Sequence, residues 1–151
     1  MLASTAERVS MNTDDRINER IRRRTEDNVA RFAHAGPAAI ERRLMELDQE
    51  WDIERCVETM APTLTLLGLG YGLTVDRKWL LLPLVVQGFF LQHAIQGWCP
   101  PIPVLRWLGV RTIPEIEEER HALKALRGDY RNVPVPNNDN AAQQAMAAAQ
   151  R

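Results

Sequence analysis

The sequence predicts an all-α membrane protein: a two-helix transmembrane hairpin with flanking cytosolic amphipathic helices. Three observations predict it. First, charge is segregated: none lies between Thr59 and Val75 or between Trp79 and Leu105, whereas residues 1–58 carry 23 of the 39 charged side chains. Second, only Asp76, Arg77 and Lys78 separate the two uncharged runs. So short a connector forces two helices to run antiparallel. Third, Trp79 and Trp98 stand 19 positions apart, ~28 Å along a helix and close to the hydrocarbon thickness of a bilayer. Indoles favour the two membrane interfaces.

The elements follow in order. Residues 1–12 read as irregular. Thr13, Asp14 and Asp15 offer a helix cap and an acidic first turn. A helix over about 14–33 carries the sparse apolar stripe Ile17, Ile21, Val29 and Phe32. Gly36 breaks it and Pro37 suits the first position of the next helix, expected over 37–58. Ile40, Leu44, Leu47 and Trp51 give that helix a narrow apolar seam, able to pair with the first helix or with a second copy of the chain.

The first span is expected at about 59–75. It is ~25 Å long as a helix and contains Gly68, Gly70 and Gly72. Gly68 and Gly72 form a GxxxG pair, which permits close helix approach in lipid. The second span, about 79–98, holds ten Leu, Val, Phe or Ile residues between its tryptophans. Near a helix centre these favour insertion by about 3–6 kcal/mol in total. Gln87, Gln92, His93 and Gln96 oppose it, three of them towards its C-terminal end. Cys99-Pro100-Pro101-Ile102-Pro103 stops the span. Val104, Leu105, Trp107 and Leu108 then form a short interfacial segment, with Arg106 expected to reach for headgroups. Trp79, Trp98 and Trp107 are the interface anchors. Thr112-Ile113-Pro114-Glu115 reads as a capping box opening a cytosolic helix over 113–128, which Gly128 ends. Residues 129–151 are Asn-, Gln-, Ala- and Pro-biased and are expected to be a disordered tail.

Formal net charge is -1, which argues against a general nucleic-acid binder. Flanking arginines outnumber the two cations of the connector, so both termini are expected in the cytoplasm. No secretory leader, Walker loop, CxxC or Ser/His/Asp pattern is read. No catalytic, cofactor-binding or metal-ligating residue is therefore assigned.

Candidate functional residues are few. Cys56 precedes the first span and Cys99 ends the second, so an antiparallel hairpin brings both to one membrane face. They are candidate thiols for a sulfur or redox relay, set against two small side chains packed at an interface. His93 and Cys99 are six positions apart, which does not match ligand spacing on one helical face. Gln92, His93 and Gln96 share a face and, with Gly68 and Gly72, are assigned to helix packing.

Residues 59–112 resemble the YgaP-like inner-membrane domain family. The resemblance rests on the Gly-rich first span, the short turn, Gly97-Trp98-Cys99-Pro100 closing the second span, and Leu108-Gly109-Val110-Arg111-Thr112 after it. It implies a two-span module in a bacterial inner membrane and supplies no catalytic residue. Some members of that family are fused to a rhodanese domain. Residues 1–58 contain no βαβ pattern, so sulfurtransferase activity does not carry over. The expected function is that of a membrane scaffold or accessory protein, whose partners are the bilayer and a second copy or another membrane protein. Association is expected through Gly68, Gly72 and the helix over 38–55. The alternatives are the thiol relay through Cys99 with Cys56, and a soluble helical bundle that buries the hairpin.

Overall fold

The computed structural model describes residues 6–131 and 141–149. It is all-helical, with no strand among the described residues. The elements are α1 (Arg8–Met11), α2 (Asp15–Phe32), α3 (Pro37–Gln49), α4 (Ile53–Thr74), a 3-10 turn η1 (Arg77–Leu80), α5 (Leu81–Gln96), α6 (Ile102–Trp107), α7 (Ile113–Arg127) and α8 (Ala141–Ala149). The chain divides into two compact units, Met1–Arg23 with Trp51–Ile116, and Arg24–Glu50 with Glu117–Arg151. The charged N-terminal region read as one block is thus shared between them.

Helix starts follow local chemistry. Asp14 Oδ1 accepts the amide of Arg16 at 2.9 Å and opens α2. Gly36, with φ of 79°, turns the chain into α3, whose first residue is Pro37. The helix expected over 37–58 is two helices. Glu50 adopts an extended conformation, and the Asp52 side chain caps a new helix by accepting from Arg55 N at 3.0 Å. Asp is among the best N-caps, and this cap outweighs continuation of the seam. Trp51 consequently leaves the seam. It is 48% exposed, with the Arg55 guanidinium 4.7 Å from its ring centre.

In the first unit, α4 and α5 pair as a hairpin. Asp76 caps η1 through Lys78 N at 2.9 Å and so builds the turn from the three charged residues between the runs. Gly68 and Gly72 are buried on α4. A Cβ on Gly68 would sit 2.5 Å from Pro83 Cδ, and one on Gly72 2.4 Å from Leu80 Cδ2. The glycine seam is therefore filled by η1 and α5 of the same chain. Gln87 Nε2 donates to Thr65 Oγ1 at 2.8 Å across the pair. Among the described residues one helix is long and apolar enough to cross a membrane, Arg77–Gln96. Helix α4 is diluted by the charges of its first turns and by its threonines and glycines. Outward-facing apolar residues crowd the hairpin: Leu66 (69%), Leu73 (80%), Leu84 (70%) and Leu91 (62%) are the most exposed leucines along it except Leu81.

Below the hairpin lies an aqueous-type core. Val9, Ile53, Val57, Cys99 and Ile102 form a buried cluster, with Phe90, Leu105 and Val110 packed on it. Arg106 does not reach outward as expected. Its side chain is fully buried and forks onto Glu115 at 2.6 and 2.7 Å, with Asn18 Oδ1 at 2.7 Å and the Val110 carbonyl at 3.2 Å. A bidentate carboxylate inside the fold outcompetes solvent for a guanidinium. Glu115 also accepts from Thr112 N at 2.8 Å, the reciprocal half of a capping box. The Arg106 and Thr112 bonds hold its carboxyl below the usual range against the opposing effect of burial.

In the second unit Ile40, Leu44, Leu47 and Leu123 are buried. Glu119, also fully buried, accepts from Arg43 Nε at 2.8 Å and from Asn28 Nδ2 at 3.5 Å. Arg43 also pairs with Glu46 at 3.0 Å. Helix α8 stands within the segment read as a disordered tail. Alanine has the highest helix propensity and makes up most of it. The expectation of disorder over residues 132–140 lies outside the described residues.

Candidate functional site: a polar cluster at the base of the hairpin

Because α4 and α5 are antiparallel, the first turn of α4 meets the last turn of α5. Glu54 comes from the first, His93 from the second. His93 Nε2 lies 2.8 Å from Glu54 Oε2. The other carboxylate oxygen accepts from Arg8 Nη2 at 3.0 Å. Arg8 comes from α1, and its Nη1 also donates to the Ala94 carbonyl at 2.8 Å. Asn12 Nδ2, just past α1, donates to the Gln96 carbonyl at 2.9 Å. Two carbonyls at the end of α5, which lack helical partners of their own, thus find donors on α1.

Gly97 makes this docking possible. It ends α5 in the left-handed conformation, φ 75°, and donates its amide to the His93 carbonyl at 2.7 Å. A Cβ there would lie 2.6 Å from the backbone carbonyl carbon of Arg8.

Electrostatics follow from these contacts. The His93 bond, then Arg8, hold Glu54 down at about 2, although burial opposes it. His93 is 1% exposed. Its second ring nitrogen, Nδ1, is buried without a hydrogen bond among the described residues. A buried imidazole held by a carboxylate on one nitrogen is an arrangement able to hold a proton away from water.

The thiol borders a cavity of about 280 Å³ between α4 and α5, walled by Val57, Ala61, Leu64, Val86, Phe89 and Cys99 among others. Every named wall residue is apolar apart from the thiol.

The other sequence-assigned residues fall as follows. Cys56 is half-buried on α4, burial pushes its thiol up, and neither it nor Cys99 forms a disulfide. Of the trio Gln92, His93 and Gln96, His93 alone is buried; Gln92 is half-buried and Gln96 exposed. Trp79 stands at the hairpin tip, 47% exposed and 5.6 Å from the Tyr71 ring. Trp98 is half-buried against the edge of Phe89, and Trp107 is 64% exposed. Among the described residues no group of three or more His, Cys, Asp or Glu is placed to hold a metal ion. Arg8 and Glu54 were not identifiable from sequence. Arg8 lies in a stretch without periodicity, and Glu54 looks like an ordinary acidic first-turn residue.

Comparison of the chain with protein-family models, curated proteins and solved structures gave no match.

Proposed function

We propose that this chain is a small integral membrane protein of the YgaP-like type whose α4–α5 hairpin lies in the bilayer, serving as a scaffold or accessory protein. The observation that carries the reading is the hairpin surface. Its outer faces bear fifteen exposed large apolar residues between Leu64 and Ile95, with no charge outside the turn. Contiguous apolar surface on that scale has no aqueous rationale. Only 11% of the apolar window in Arg77–Gln96 is covered by the rest of the chain, which speaks against a soluble bundle built around the hairpin.

With η1, α5 has 20 residues and spans ~30 Å, the hydrocarbon thickness. Helix α4 need only present its outer side to lipid, because its glycine side is covered. Trp79 at the tip and Trp98 at the other end of α5 suit the two interfaces. Positive charge on the flanks favours both termini in the cytoplasm. With Gly68 and Gly72 occupied by η1 and α5, association with a second copy or another membrane protein falls to the outer hairpin faces and to α3.

Alkaline carbonate extraction of membranes tests the first part: the protein is expected in the pellet, and release to the supernatant overturns it. Crosslinking in native membranes tests the second: a discrete crosslinked species is expected, and a strictly monomeric protein removes the scaffold reading.

A further inference from the structure

We propose that the first turns of α2 and the outer face of α6 form one binding surface for the headgroups of anionic phospholipids, in the leaflet at the base of the hairpin. This rests on the membrane reading above, because it needs a bilayer beside the end of α5. Only five residues separate the end of α5 at Gln96 from the start of α6 at Ile102, so α6 stays at that end of the hairpin.

Three observations carry it. The first is the shape of α6. Ile102 and Arg106 are fully buried on its inner side, and Leu105 packs on the core. Its other side leaves Val104 58%, Trp107 64% and Leu108 63% exposed. These three positions share one helical face. An outward tryptophan between aliphatic residues suits the boundary between headgroups and acyl chains. The second observation is where the cations stand. Arg20 Nη2 donates to the Trp107 carbonyl at 2.8 Å, and Asn18 Oδ1 accepts from Arg106 Nη2 at 2.7 Å. These bonds lay the first turns of α2 against the end of α6. Arg16, Arg20 and Arg23 follow at spacings of four and three, so they run as a stripe beside Trp107, and all three are exposed. The third observation is charge balance. Between Asp15 and Arg23 four arginines stand against two acids. One of those acids, Glu19, is taken up by Arg22 and Arg23 at 2.8 and 2.6 Å. Arg16 and Arg20 form no ion pair among the described residues.

The surface is thus positive at its rim and apolar beside it. A leaflet of anionic phospholipid presents the complementary pattern, phosphate outside and hydrocarbon within. An acidic peptide offers the charge without the adjoining hydrocarbon. Guanidinium groups suit the task, because their planar fork meets two phosphate oxygens at once. Arg106, the residue that the sequence marks for headgroups, is taken up by Glu115, and the arginines of α2 stand in its place at the same end of α6.

The test reconstitutes the full-length protein in vesicles of equal parts phosphatidylglycerol and phosphatidylcholine. In one set the anionic lipid carries bromine on its acyl chains, in the other the zwitterionic lipid does. The quenching that belongs to Trp107 is the part of the tryptophan signal lost in Trp107→Phe. From it the association of the two lipids at this face is compared. A preference of about fivefold or more for phosphatidylglycerol is expected, the effect of one or more cations near an anionic surface. It should fall towards none as salt rises from ~0.1 M to ~1 M and the screening length shrinks from ~10 Å to ~3 Å. Arg16→Gln with Arg23→Gln leaves the Arg20 bond to Trp107 in place and is expected to remove most of the preference, while Arg16→Lys with Arg23→Lys keeps much of it. Equal quenching by both lipids, or a preference unchanged in the glutamine variant, overturns the proposal. Trp107 quenched by neither lipid in carbonate-resistant protein overturns it and leaves the membrane reading standing; a crosslink from α6 to another protein then names the occupant of this face. Carbonate-extracted protein that still binds phosphatidylglycerol vesicles through Arg16 and Arg23 keeps the surface and overturns the hairpin reading.

Discussion

Gly97→Ala is expected to release α1 from the hairpin base while leaving the hairpin paired. Two costs act together. Alanine in the left-handed region costs ~1–2 kcal/mol. Its Cβ would also lie 2.6 Å from the Arg8 carbonyl carbon, a backbone atom that no side-chain rotation can move aside. The contacts at stake are the burial of Val9, 3% exposed, and the bonds from Arg8 to Ala94 and Asn12 to Gln96. Burial of a valine is worth ~1.5–3 kcal/mol and each bond ~0.5–1.5 kcal/mol. Ordering the four residues of α1 takes back a comparable amount, at ~1–2 kcal/mol each. The net docking energy is therefore small, and the clash is enough to undo it.

Hydrogen exchange reads this directly. The Met11, Asn12 and Thr13 amides bond to the Glu7, Val9 and Ser10 carbonyls, and their exchange is expected to accelerate at least tenfold in Gly97→Ala. Tryptic cleavage after Arg8 should rise in parallel. Gly36→Ala is the control, since Gly36 has a similar φ of 79° with nothing within 4 Å of a Cβ. It carries the backbone strain without the collision and should leave those amides unchanged. Retained protection in Gly97→Ala, or equal loosening in Gly36→Ala, would refute the reasoning.

Arg106→Met removes a fully buried guanidinium and leaves the half-buried Glu115 without its cation. A loss of ~3–5 kcal/mol is expected in urea unfolding, with part recovered when Glu115→Gln is added. The same logic separates the partners of Arg43. Glu119→Ala, at a fully buried carboxylate, is expected to cost ~3–5 kcal/mol, whereas Glu46→Ala, with a side chain 64% exposed, should cost at most ~1 kcal/mol. Glu54 predicts a pH dependence. Its carboxyl is depressed in the folded chain, so the stability it contributes is fully present above the ordinary value of 4.5 and is lost as pH falls towards about 2. At ~1.4 kcal/mol per pH unit the full effect is about 3 kcal/mol, and partial exposure lowers it to about 1–2 kcal/mol. Glu54→Gln should flatten the stability curve by that amount over this window, and an unchanged curve would show that the contact carries no net energy.

Legibility in the sequence depended on whether a signal was local. The charge-free runs, the Asp76 turn and the Thr112–Glu115 capping box are each written in a few adjacent residues, and all recur in the structure as helix, turn or cap. The seam from Ile40 to Trp51 suggests one helix over 37–58, and the cap at Asp52, although just as local, lies at the end of that seam. The boundary of charge at Thr59 is not a boundary of structure, because α4 begins at Ile53 and carries Glu54 into the base of the hairpin. Glu115 sits in the first turn of α7, where the helix dipole favours it, and Glu119 follows a turn later. Their burial depends on Arg106 and Arg43, and nothing near α7 marks Arg43, 76 positions away, as a partner.

The same distinction explains why the hairpin base is so rich in ions. A helix ends with carbonyls that lack partners, and Gly97 turns the chain before a further turn of α5 could supply donors. Arg8 and Asn12 supply them from 86 and 84 positions away, and Arg8 then needs a counter-charge, which Glu54 provides. Once Glu54 is held there, its remaining oxygen fixes one nitrogen of His93. The carboxylate is thus shared between capping α5 and orienting the imidazole. Loosening α1 should therefore reach the imidazole as well as the end of the helix: in Gly97→Ala the His93 ring resonances are expected to shift as Arg8 leaves Glu54. Unchanged His93 ring resonances in that variant, with α1 shown to be released, would separate the two roles and leave Glu54 to hold His93 without help from Arg8.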